Sequence, residues 1–271
     1  MPAARAATED TAMTELDDAT RHALCDLLLA IADDKLMLGH RNSDWTGLGP
    51  ILEEDIAFSS IAQDEIAHAQ ALYEFVGRLA GTTADALAFG RSPDAYRCAA
   101  VVERSDDNDW AIALARQLFC DHLDQLRLQR LSNSSYAPIA ALARRLAAEE
   151  QVHVEHADGW VRRLGSGTDE SRQRMQAALD TLAPLSASLL EAVADQATLE
   201  ANGVYPPLDP PMTATWCAKL TTLVDDAGLH LACPESAPNT PGGRRGVHTP
   251  EFPSILDEMC EVYRIEPDAA W

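Results

Sequence analysis

Basic residues are scarce in this chain: 21 Lys and Arg stand against 43 Asp and Glu, a formal net charge of −22 over 271 residues. That balance disfavours a phosphate backbone or an anionic membrane surface as partner, since either would have to be met by a local basic patch. Aromatic residues are few, at 6%. No apolar run approaches the ~20 residues that a membrane span requires, and the N-terminal MPAARAATEDTAMTELDD lacks the apolar stretch of a secretion signal. Residues 1–17 therefore read as a mobile polar leader on a cytoplasmic protein. The six cysteines (Cys25, Cys98, Cys120, Cys217, Cys233, Cys260) contain no CxxC pair, so neither a zinc framework nor a disulfide framework is expected and all six read as reduced thiols. There is also no GxGxxG and no cysteine spacing for an iron–sulfur cluster, so no flavin or nicotinamide is expected to be bound directly.

Strand patterning is nearly missing too, and helical periodicity fills the space. With 46% hydrophobic residues the chain can bury a full core. Apolar stripes predict one helix over about Asp18–Arg41, a second from Pro50 to Ala80 stopped by Gly81, a third capped by Asn108 and ending before SNSSYAP, and a fourth from Pro138 to Leu164. Four long helices predict an all-α bundle over about 18–164. Residues 168–271 read as shorter helices, one ended by Pro184, and a Pro/Gly-rich tail packed on that bundle within the same domain.

Polar side chains interrupt these stripes. Glu65 and His68 lie between Ile61 and Leu72, and Glu150 and His153 between Leu146 and Ala157. A buried carboxylate costs several kcal/mol unless it is paired, neutralised or bound to a metal. Residues i and i+3 share a helix face, so each Glu-x-x-His pair offers a carboxylate oxygen and an imidazole nitrogen to one small volume. Each is preceded by an acidic residue on the inward stripe of the previous helix: Asp34, with Asp33 as an alternative, and Asp121, with Asp124 as an alternative. In an up-down bundle the two halves would meet as four carboxylates and two histidines, a ligand set for two irons, or manganese. Two such pairs are weak evidence by spacing alone; their place on apolar stripes of separate helices is what gives them weight. Hydrogen-bonded pairing without metal is the competing reading. His40, His122 and His156 read as surface or rim residues.

The runs DDKLMLGHRNSDWTGLGPILEEDIAFSSIAQDEIAHA, IALARQLFCDH, HVEHADGWVRRLGSGT and GGRRGVHTPEFPSILDEMCEVYRIEPDAAW resemble the phenylacetic acid catabolic protein family, in particular its C-type branch. That resemblance implies a ferritin-like bundle and a place in a multicomponent di-iron monooxygenase that epoxidises the ring of phenylacetyl-CoA. It implies a related catalytic A subunit and a separate electron-transfer reductase as partners. In the C-type branch the chain commonly serves as a scaffold with a decayed metal site, whereas Asp34, Glu65, His68, Asp121, Glu150 and His153 match the ligand pattern of the catalytic branch. No catalytic residues beyond those ligands are expected. Arg244 and Arg245 in GGRRGVH are candidates for CoA phosphates, with docking of the loop against a partner or the bundle as the plainer alternative. A ferritin-like ferroxidase would share the ligands but not this tail.

Overall fold

A computed structural model describes residues 16–105 and 107–266; of the leader expected over 1–17, residues 1–15 lie outside the described part. The architecture is all-α, and no strand occurs among the described residues. Four long helices dominate: α1 (Asp18–Ser43), α2 (Leu52–Ala80), α5 (Trp110–Ser132) and α6 (Ala137–Gly165). Two short helices, α3 (Ala84–Phe89) and α4 (Ala100–Glu103), lie in the crossover from α2 to α5. The C-terminal part adds α7 (Asp169–Ser186), α8 (Gln196–Ala201), α9 (Met212–Asp226), α10 (Phe252–Met259) and α11 (Glu261–Ile265).

Local chemistry sets the helix ends. The Asp17 carboxylate accepts from Thr20 N–H and opens α1, while Gly81, at φ 72°, closes α2 in the left-handed conformation that costs glycine little. Asp109, not Asn108, caps α5: its side chain accepts from Ala111 N–H, and Asn108 occupies a left-handed turn at φ 57° just before it. Pro184 does not end α7 but sits in its last turn, and the chain then tightens into a 3₁₀ turn over Ala187–Leu190.

Helix direction can be read from the core. One apolar cluster joins Leu24, Leu28 and Ile31 of α1 to Leu72 and Phe75 of α2, Leu128 and Leu131 of α5, and Ile139 and Leu146 of α6. A second joins Met37 and Leu38 of α1 to Leu118 and Phe119 of α5 and Ala157 and Val161 of α6, with α7 and α9 packed over that end. Helices α1 and α6 therefore run one way and α2 and α5 the other. The simple up-down order is replaced by one in which residues 81–109 cross the length of the bundle, the single long crossover of ferritin-like folds. Between the two clusters lies a polar layer. Gly39 brings α1 against α2 at this level, since a Cβ there would stand 2.8 Å from Ile66 Cγ1 and 2.9 Å from Ala62 O.

The cysteine expectation is corrected. Cys217 on α9 and Cys233 in the following segment form a disulfide, their Cα atoms 5.7 Å apart after the chain reverses at Gly228. Their separation of 16 residues is not a recognisable motif, and only the return of the chain makes them neighbours. Cys25, Cys98, Cys120 and Cys260 are free. Among the described residues no helix is long and apolar enough to cross a membrane.

Candidate metal centre and its buried lysine

Each long helix sends polar side chains into the layer between the apolar clusters. Glu65 and His68 come from α2, Asp121 and Asp124 from α5, Glu150 and His153 from α6, and all are buried. From α1 comes Lys35, with no exposed surface. Its Nζ lies 2.8 Å from Glu65 Oε2, 2.8 Å from Glu150 Oε2 and 3.2 Å from Asp124 Oδ2. One ammonium thus ties together carboxylates from three helices.

The histidines face both ways. His153 Nδ1 is 3.1 Å from Glu65 Oε1, and its Nε2 is 3.5 Å from Asp64. His68 Nδ1 is 3.5 Å from Glu150 Oε2, and its Nε2 is 2.8 Å from Glu149. The two rings are stacked with centroids 5.7 Å apart. Behind Asp121, Gln117 Nε2 donates to Oδ1 at 2.6 Å, and Asn42 Nδ2 donates in turn to Gln117 Oε1.

Protonation follows from this geometry. Burial disfavours the Lys35 ammonium, but Glu150, Glu65 and Asp124 outweigh it and hold the lysine charged well above its ordinary range. Burial pushes the Glu65 carboxyl up, and Lys35 with the His153 hydrogen bond pulls it further down, below the usual carboxylate range. His153 loses by burial and gains more from Glu65 and Glu150, so its pKa rises to about 10. Asp121 goes the other way: burial and then the neighbouring Glu150 and Glu65 raise it well above the ordinary value, which favours the neutral acid.

The donor set fits one divalent metal. Ligand atoms of Glu65, Asp121, Glu150 and His153 all lie within 4.8 Å of one another. His68 Nδ1, Asp121 Oδ2 and Glu150 Oε1 are buried without a hydrogen-bond partner, and both imidazoles turn Nδ1 inward with Nε2 toward a carboxylate, as metal-bound histidines commonly do. A second metal would have to compete with Lys35 Nζ for Glu65 Oε2 and Glu150 Oε2.

Of the six residues expected to ligate, the structure brings five into this layer and places Asp34 elsewhere. Asp34 accepts from Arg244 Nη1 at 2.8 Å, Arg127 Nη1 at 2.9 Å and Ala99 N–H at 2.8 Å. Those partners outweigh burial and hold its carboxyl below the usual range. Asp33 does not replace it, since it is taken by Tyr73, Arg91 and Arg97 N–H. Arg244, expected as a candidate for CoA phosphates, has its guanidinium buried in an ion pair with Asp34. Arg245 is exposed. His122 is buried rather than at the surface, 2.7 Å from Asp158, while His156, 2.8 Å from Glu54, sits at the rim with the half-buried His40.

Lys35 is what sequence reading missed. The signal was present: stepping from Leu24 through Leu28 and Ile31 reaches Lys35 as naturally as Asp34, since both i+3 and i+4 share a face. A lysine on an apolar stripe facing two Glu-x-x-His helices was the clue.

The family model described as phenylacetic acid catabolic protein matches residues 7–271. The chain is also 31% identical over 245 residues, 90% of its own length and 97% of the relative's, to the C subunit of the 1,2-phenylacetyl-CoA epoxidase of Escherichia coli strain K12. The family-wide match and a relative covered almost end to end, on an all-α bundle with two inward Glu-x-x-His pairs, show that the chain belongs to the phenylacetic acid catabolic protein family.

Proposed function

We propose that this chain is the C-type member of a multicomponent oxygenase that epoxidises the ring of phenylacetyl-CoA during phenylacetate degradation, and that it acts there as the assembly partner of a related catalytic subunit. The similarity to one component of an epoxidase supports membership of such a complex. The observation that carries the division of labour is Lys35, whose ammonium stands 2.8 Å from both Glu65 and Glu150. A permanent cation neutralises the carboxylates that would otherwise require metal charge, so the layer holds four helices together with its own charges. Oxygen chemistry then belongs to the catalytic partner, supplied with electrons by a separate reductase. The fit of one divalent ion to Glu65, Asp121, Glu150 and His153 favours a second reading, in which a metal at this centre takes part in turnover.

Glu150→Gln separates the two. In a complex reconstituted with the catalytic subunit and reductase, the assembly reading expects epoxide formation from phenylacetyl-CoA within about twofold of wild type, provided size-exclusion chromatography shows the complex intact. A loss of about a hundredfold or more in an intact complex, at or beyond what losing a mere outer-shell partner of a metal costs, establishes the second reading instead.

A further inference from the structure

A second group of metal-binding side chains lies outside the bundle centre, where the tail meets the crossover. Cys98 precedes α4, Glu103 is its last residue, and His248 follows the 3₁₀ turn Gly243–Arg245. Cys98 Sγ is 3.3 Å from Glu103 Oε1 and 3.8 Å from His248 Nδ1, and the last two atoms are 2.6 Å apart. Cys98 and Glu103 have no exposed surface, and the His248 side chain is 7% exposed.

From these contacts we propose that Cys98, Glu103 and His248 form a site for one zinc-class divalent cation that clips the C-terminal tail to the crossover. Tetrahedral zinc with bonds of about 2.0–2.3 Å to S, N and O sets ligand atoms about 3.4–3.6 Å apart. The observed triangle needs only about 1 Å of adjustment at its shortest edge to meet that. One thiolate, one imidazole and one carboxylate, with a fourth position left over, is a donor set that suits zinc or cobalt and disfavours magnesium or calcium.

The surroundings hold the three donors in place. A side chain at Gly243 would collide with the Cys98 carbonyl oxygen, so the glycine lets the tail lie directly on that segment. Glu191 accepts from Gly242 N–H and Arg244 N–H, and Arg244 is anchored on Asp34. Thr249 N–H fixes Glu103 Oε2 at 2.7 Å, leaving Oε1 toward the other donors, and the His248 ring stacks on Phe252 with centroids 3.9 Å apart. Burial, and then Glu103, Asp33 and Asp34, keep the Cys98 thiol protonated far above its ordinary range. The Glu103 carboxylate in the triangle attracts a cation for the same reason, and binding releases the thiol proton to solvent. A plain latch between Glu103 and His248 would not need a buried sulfur 3.3 Å from the carboxylate.

The test uses the full chain, stripped with chelator, with Cys217–Cys233 left oxidised, and titrated with Co(II) or Zn(II). A thiolate-to-cobalt charge-transfer band should grow to saturation at one Co(II) per thiolate site, a band the sulfur-free bundle centre cannot give. Cys98→Ser should abolish the band, His248→Gln should shift its titration to at least tenfold higher Co(II), and Cys25→Ser, at a free cysteine of α1 outside the triangle, should leave the band unchanged. Circular dichroism and elution volume of each variant establish that it is folded. No band in the wild type, a band that survives Cys98→Ser, or a band lost with Cys25→Ser would overturn the proposal.

Discussion

The residue that decides the bundle centre is Lys35. An ammonium with no exposed surface survives only because Glu65, Glu150 and Asp124 surround it, and removing one partner of a buried ion pair costs about 3–5 kcal/mol. Lys35→Ala should therefore lower the metal-free stability by about that amount. It should also leave Glu65 and Glu150 short of a cation, so that Fe(II) or Mn(II), measured by metal analysis and by the rise in melting temperature on addition, binds at least tenfold more tightly than to wild type. Equal metal affinity in the two proteins would show that Lys35 does not compete for the site. His153 gives a pH signature. Its pKa rises on folding from 6.5 to about 10, so its stabilising contribution is complete below about pH 6.5 and is lost as pH climbs toward 10. Stability from chemical denaturation should fall across that window by an amount on the order of a few kcal/mol, and His153→Gln should flatten the fall.

Among elements, α1 carries two buried charge assemblies on adjacent residues. Asp34 holds Arg244 of the tail and Arg127 of α5, Arg127 reaches Asp124 at 3.0 Å, and Asp124 reaches Lys35. The tail is thus joined to the bundle centre through a continuous run of ion pairs. Asp34→Asn should cost about 3–5 kcal/mol in denaturant unfolding because Arg127 and Arg244 lose their shared carboxylate; a cost below about 1 kcal/mol would mean that the strap is incidental. The same element shows where sequence reading stops. Apolar spacing located all four long helices and put both Glu-x-x-His pairs inward, because burial of a helix face is a local pattern. The spacing admits Lys35 as well as Asp34 on the inward face, since a helix face is wide enough to include both, and only the packing of α1 against α2, close at Gly39, decides which reaches the centre. Arg244 was equally hidden: its partner lies 210 residues earlier in the chain. The Cys217–Cys233 pairing likewise depends on a chain reversal that no local pattern specifies.

Across the whole molecule, the distribution of exposed apolar side chains bears on assembly. Leu48, Ile51, Leu52 and Ile56 crowd the loop and first turns entering α2, at 61%, 42%, 71% and 62% exposure. A monomer gains nothing from leaving four large aliphatic groups in water at one place, and such a cluster is what a protein interface buries. The proposed assembly with a catalytic subunit is expected to bury this end of α2, and substitution there tests it. The double substitution Leu52→Asp with Ile56→Asp sits on surface that the isolated bundle does not bury, so its melting temperature should stay within a few degrees of wild type. Co-purification with the catalytic subunit should fall at least tenfold, because two carboxylates would be forced into an apolar contact. Undiminished co-purification would move the docking face elsewhere on the bundle, while a matching loss of monomer stability would show that these side chains serve the fold.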